Sequence, residues 1–310
     1  ATNLVYNTAG YHSFTGGDVH VGNGQGLVIG HTAQISPIGT TSEFQVLGTS
    51  ETDGSAAICN FGNDNNGAVL TLGKARGGAI GTYTVVADAD KCGTIYFGAA
   101  DGTDLNNRVA SIVGLVDGPP GGNDTPGRLT FNTTSDGAGS SSERMRINNN
   151  GNVFIGDTAN SEQTRGLTIH MDGNDDNILD LKAAEVAHGR TSHGETDTFF
   201  SLAKYDANKG GCLQYVLMDN EAQTPCYEIR TTGGQATTNK TEANCFGLMQ
   251  FRIAQHDGSN AANGMTSDGV AFAIRCTNNS GDDRAIFAVD EDGDVFADNG
   301  TAMTDMSDDK

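Results

Sequence analysis

Tryptophan is absent from this 310-residue chain, proline occurs five times, and aromatic residues make up 6%. Leucine, isoleucine, valine and phenylalanine together number 60. That share, about 19%, combined with a high net charge, is the level that ordinarily marks disorder. So little bulky material cannot build a deep core in one chain of this length, and burial against further copies of itself is the expected remedy. Basic residues are scarce as well: 18 Lys and Arg stand against 39 Asp and Glu, a net charge of −21. Phosphate backbones need clustered cations, so nucleic acid is not an expected partner. No apolar run approaches the roughly 20 residues of a spanning helix, and no basic stretch followed by an apolar one opens the chain. No membrane insertion is expected.

Signatures of catalysis and metal binding are also thin. The six cysteines, Cys59, Cys92, Cys212, Cys226, Cys245 and Cys276, have no CxxC spacing, which argues against zinc and against a disulfide scaffold and reads as small buried thiols. A Gly-x-Ser-x-Gly nucleophile motif is missing, and Gly22-Asn-Gly-Gln-Gly26 precedes no helical pattern, so a dinucleotide loop is not expected. His188 and His193, with Glu195 and Asp197 nearby, are the closest approach to a histidine metal cluster, but no helix sets them on one face. Asp290-Glu-Asp-Gly-Asp294 places the carboxylates of Asp290, Asp292 and Asp294 at alternate positions around a glycine, the oxygen donors Ca²⁺ takes. The bidentate acid of an EF-hand would fall on Thr301, and Asp-Gly between strands is equally a hairpin turn. No cofactor is expected, with Ca²⁺ at these three aspartates as the exception to test.

What the chain has in quantity is glycine, 43 residues, which with Asn and Asp punctuates short runs of alternating apolar residues. Such runs are strands. They are expected at 43–47, 68–72, 81–86, 93–97, 108–113 and 127–131, then at 167–171, 178–181, 199–203, 213–218, 227–230, 246–253 and 270–275. The one helical pattern, 182–188, spans about two turns and lacks a clean cap. Asp117-Gly-Pro-Pro-Gly-Gly-Asn-Asp-Thr-Pro126 must be a loop, because proline donates nothing to a ladder.

One of these patterns recurs. In Arg144-Met-Arg-Ile-Asn-Asn-Asn-Gly-Asn-Val-Phe-Ile-Gly-Asp157 a strand, an Asn-Gly turn and a returning strand follow one another. Phe287-Ala-Val-Asp-Glu-Asp-Gly-Asp-Val-Phe-Ala-Asp298 repeats it and Phe14-Thr-Gly-Gly-Asp-Val-His-Val-Gly-Asn23 shortens it. The central valines Val19, Val153 and Val295 stand 134 and 142 residues apart. A second echo links Gly26-Leu-Val-Ile-Gly30 with Gly166-Leu-Thr-Ile-His170. The repeat divides the chain into a lead-in (1–13), a first β module (14–157), a second β module (158–298) and a polar tail (299–310). The expected hairpin core comprises Val19, Val21, Met145, Ile147, Val153, Ile155, Phe287, Val289 and Val295.

The run from Cys92-Gly-Thr-Ile-Tyr-Phe-Gly-Ala-Ala-Asp-Gly-Thr-Asp104 through the proline loop to Glu143-Arg-Met-Arg-Ile147, closed by Gly151-Asn-Val153 and Ile155-Gly156, resembles tailed-bacteriophage tail-fibre proteins over residues 79–157. The second module, through Asp180-Leu-Lys-Ala-Ala-Glu-Val-Ala-His-Gly-Arg-Thr191, Glu195-Thr-Asp-Thr198 and the closing hairpin, is similar to another module of phage virion proteins. The resemblance implies an all-β homotrimeric virion appendage, intertwined about a threefold axis, that meets other virion proteins and a host-surface glycan or protein. In such fibres a C-terminal chaperone cuts itself off at a Ser-Asp bond. Met306-Ser-Asp-Asp-Lys310 looks like the opening of that domain, with Ser307 matching the nucleophile and Asp308 the next residue. The family's partner lysine lies further downstream than Lys310, and that assignment stays open. The alternatives are a polysaccharide-degrading tailspike, which the period near 140 disfavours against a short-repeat solenoid, and an extracellular adhesin or filament subunit.

Overall fold

A computed structural model describes residues 21, 26–36, 39–173, 176–185, 188, 190–192, 194–206, 208, 210–217, 227–231, 249, 251–256, 262–267, 269–277, 280–281, 283–297 and 302–303. Among them every regular element is a strand and none is a helix. The fold is all-β, as expected. The chain divides into two compact units, Ala1–Cys226 and Tyr227–Lys310.

In the first unit, β1 (Leu27–Ile29) pairs in parallel with β2 (Phe44–Val46). A six-stranded sheet follows in strict chain order: β3 (Lys91–Ala99), β4 (Asn107–Val116), β5 (Gly127–Thr133), β6 (Ser142–Ile147), β7 (Val153–Ile155) and β8 (Leu167–Ile169). All neighbours are antiparallel except β7 and β8. A meander of this kind follows from short polar turns. After β3, Asp101 Oδ1 accepts the Thr103 N–H at 2.8 Å and Gly102 takes φ +97. The proline loop after β4 closes where the Asp117 N–H meets the Pro126 carbonyl at 2.8 Å. A three-stranded antiparallel sheet completes the unit, with β10 (Thr198–Asp206) between β9 (Asn177–Lys182) and β11 (Gly210–Val216).

In the second unit, β12 (Gln255–His256) pairs with β13 (Ala262–Asn263). A four-stranded antiparallel sheet runs in chain order through β14 (Val270–Thr277), β15 (Asp283–Asp290), β16 (Val295–Ala297) and β17 (Ala302–Met303).

Several expectations need correction. Residues 68–72, 81–86 and 227–230 form no strand, and among the described residues none supplies them with a ladder. The helical pattern at 182–188 gives no helix at its described residues: Lys182 is captured by its pairing with Thr198, and two uncapped turns cannot compete with a ladder. Cys59, Cys212 and Cys276 are exposed rather than buried, and with half-buried Cys92 they are free thiols. Cys226 and Cys245 lie outside the described residues.

The core is as thin as the composition implied. Among the described residues the buried hydrophobic side chains are Val113, Val116, Phe154 and Ala203, while 35 large hydrophobic residues are exposed. The accessible surface is 24552 Å², about twice the roughly 12,000 Å² that surface scaling gives a folded monomer of this mass.

Candidate functional site

Side chains of directly paired residues share a face of the sheet. Following the register across the six-stranded sheet gives one row: Ile95 opposite Ile112, Ile112 opposite Phe131, Phe131 opposite Met145, Met145 opposite Ile155, and Ile155 opposite Ile169. Every member is apolar. The adjoining row on the same face runs Gly93, Gly114, Leu129, Ile147, Val153 and Leu167. None of these side chains is buried, and Ile95, Ile155 and Leu167 are 46, 40 and 54% exposed. A two-row apolar face therefore crosses six strands, with Ile95, Leu129, Ile147, Ile155 and Leu167 exposed and its other large side chains half-buried.

The opposite face mixes apolar and polar side chains and is the more buried of the two. Val113, Thr130, Arg146, Phe154 and Thr168 form its central row, with Val113, Thr130 and Phe154 buried. Arg146 forks onto Glu143, one arm at 2.9 Å, and the Arg108 guanidinium lies 4.2 Å from the Tyr96 ring centre. Asp117 ties the proline loop to the hairpin turn. Its carboxylate accepts Arg128 Nη1 at 2.7 Å and the Asn149 N–H at 2.9 Å, while its carbonyl accepts Asn149 Nδ2 at 2.9 Å. Burial pushes the Asp117 carboxyl up, but the Asn149 N–H and the Arg128 guanidinium outweigh it and hold the group below the usual carboxylate range.

Both described hairpins use one turn. In the first, Met145 faces Ile155 and Ile147 faces Val153. In the second, Phe287 faces Ala297 and Val289 faces Val295. Phe272 and Ile274 extend those second rows onto β14, opposite Val289 and Phe287, and are exposed. Val21 is 46% exposed; Val19 lies outside the described residues, as do Ser307 and Asp308.

The acidic turn supplies its own explanation. The oxygens of Asp290, Asp292 and Asp294 lie within 4.8 Å of one another, a spacing that three donors to a cation could share. Buried Asp290, however, already accepts the Asp294 N–H at 2.7 Å through Oδ1, and Gly293 takes φ +100. That is hairpin chemistry. Asp292 is pushed above its ordinary value by a hydrogen bond shared with Asp290 and by the charges of Asp290, Asp294 and Glu291.

His188 is buried, with Nε2 donating to the Thr198 carbonyl at 2.6 Å and Nδ1 accepting the Arg190 N–H at 3.2 Å. Both ring nitrogens are occupied, so this residue serves packing. His193 lies outside the described residues, and Glu195 and Asp197 both pair with Lys182, Asp197 at 3.0 Å. One feature escaped the sequence altogether: an open groove of about 1430 Å³ beside β9 and β10, lined by Asp180, Lys182, Asp197, Tyr205 and Tyr215 among others. Only the sheet register brings those residues together.

No family model matches the chain, and no curated protein does. Among solved structures, it is similar to the carboxy-terminal domain of the bacteriophage T5 L-shaped tail fibre. The match has 12% identity and a TM-score of 0.38, covering 83% of this chain and 92% of that one. It is also similar to the same domain with its intra-molecular chaperone domain, at 13% identity and a TM-score of 0.32, covering 66% and 72%. Overlap at this level is too loose for a functional role to be transferred.

Proposed function

We propose that the chain is a structural subunit of a virion appendage of the tail-fibre kind. It works as a homotrimer, joins other virion proteins and contributes to attachment at a host-surface glycan or protein. The observation that carries this reading is the part-exposed apolar face of the six-stranded sheet. At about 25 cal/mol per Å², an apolar face left in water forgoes stabilisation that a thin-cored chain needs. Covering it with other copies restores that stabilisation, and the residues that would meet include Met145, Ile147, Val153 and Ile155 of the first hairpin. The second hairpin, with Phe287, Val289 and Val295, would serve in the same way. The motifs over residues 79–157 support the same assignment independently. Rigid extension with multivalent contact is the mechanism.

No cofactor is assigned, and the Asp290 turn is read as a closure of the hairpin. The polysaccharide-degrading alternative is tested by incubating the protein with host capsule, where released oligosaccharide would replace the structural reading with an enzymatic one. An antibody against the chain should decorate an external appendage of intact virions. Labelling of disrupted particles alone would contradict the assignment.

A further inference from the structure

Residues 55–75 make no backbone-to-backbone hydrogen bond with any described residue and form no strand. A stretch of such length without a ladder is uncommon inside a compact domain. Its sequence is nevertheless that of a strand pair: apolar residues on both sides of a polar turn. The turn is built. Asn60 Nδ2 donates to the Asn66 carbonyl at 2.9 Å, the Gly62 N–H to Asn60 Oδ1 at 2.7 Å, and the Asn66 N–H to Asp64 Oδ1 at 3.0 Å. On the two arms, Ile58, Phe61, Val69, Leu70 and Leu72 are 60, 96, 76, 68 and 47% exposed.

We infer that residues 55–75 are an interchain β element whose ladder partner is a second copy of this chain. Three observations select that occupant. The arms are set apart by a turn that their own side chains fix, yet neither bonds to the other nor to the sheet. Leu72 packs over Gly93, so closely that a Cβ there would collide with it. This brings the end of the segment to β3, the edge strand of the six-stranded sheet and the start of its part-exposed apolar face. The area also suffices. At roughly 150–250 Å² for a fully exposed large side chain, these five residues offer on the order of 700 Å². Joined to the apolar face beside them, they exceed the ~800 Å² per partner of a standard interface. Backbone groups lacking partners and apolar side chains lacking cover are then satisfied in one step, by strand addition across copies.

The inference rests on the assembly proposed above, and hydrogen exchange on the intact oligomer separates the two. With the full chain as purified, amides of residues 55–75 should exchange as slowly as those of β3 to β6. Fast exchange there within an intact oligomer overturns the interchain element and leaves the assembly standing. A particle of 32.2 kDa overturns both. In a second arm, Leu70→Asp should weaken association roughly tenfold or more and release the protection at 55–75. A variant that associates as tightly as the parent, with protection unchanged, also overturns it.

Discussion

Asn148 and Asp290, 142 residues apart, make the same hydrogen bond: each accepts through Oδ1 the N–H of the residue four places on, Asn152 at 2.9 Å and Asp294 at 2.7 Å. Each also sends its own N–H to that residue's carbonyl, at 3.0 and 3.2 Å, and each is followed three places later by a glycine with positive φ, Gly151 or Gly293. An amide and a carboxylate are interchangeable as acceptors here. Asp290→Asn should therefore keep the hairpin, while Asp290→Ala leaves the Asp294 N–H without its side-chain acceptor and costs about 0.5–1.5 kcal/mol. Thermal unfolding of both variants checks this, and equal losses would refute the shared role.

The crowding of carboxylates makes Asp292 a cost at neutral pH. Its folded pKa is raised, so the folded chain holds that proton to higher pH than the unfolded chain, and stability falls as pH rises through the folded value. Asp292→Asn should raise the melting temperature at pH 7, with the gain vanishing below the unfolded carboxylate range. Millimolar calcium should leave the melting temperature of the parent unchanged. A calcium-dependent rise that Asp292→Asn abolishes would assign the turn to a metal instead.

Asp117 titrates with the opposite sign. Its depressed folded pKa gives stability that is complete above the unfolded value of about 3.9 and is lost as pH falls through the folded one. Asp117→Ala should cost about 1.5–3 kcal/mol, the range for hydrogen bonds to a charged group, and flatten the acid limb of the stability curve. An unchanged acid limb would show that the tie between the proline loop and the hairpin is idle.

Gly30 and Gly156 end equivalent strands of the two parallel pairs. The Leu47 N–H bonds the Ile29 carbonyl and the His170 N–H bonds the Ile155 carbonyl, at 2.8 and 2.9 Å. Both glycines have positive φ, and a Cβ on either would press into the carbonyl oxygen of the neighbouring strand, Leu47 or His170. Gly156→Ala should combine strain of about 1–3 kcal/mol with a similar cost of overpacking. Gly151→Ala has positive φ but open space, and should cost only about 1–2 kcal/mol. Denaturant midpoints that rank the two the other way would contradict the geometry.

How much of this was legible in the sequence depends on how local the cause was. The hairpin turns were, because Asn-Gly and Asp-Gly declare their backbone geometry within five residues. The strands from β3 to β6 were as well, since alternation and bounding glycines are local. The parallel pairs misled: the sequence echo aligns Leu27-Val-Ile29 with Leu167-Thr-Ile169, whereas the hydrogen bonds align it with Val153-Phe-Ile155. Apolar triplets carry too little information to choose between them. Residues 68–72 read as a strand and form none in their own chain, because a ladder needs a partner that local pattern cannot supply. The row from Ile95 to Ile169 was invisible for a different reason. It exists only once five registers are fixed, and a slip of one residue would turn any member to the other face.

The central claim, that copies of the chain share an interior none could make alone, is tested most directly by mass in solution. Native mass measurement should give a trimer of roughly 97 kDa, three times 32.2 kDa, that collapses to single chains on denaturation. A stable folded particle of 32.2 kDa would contradict the account.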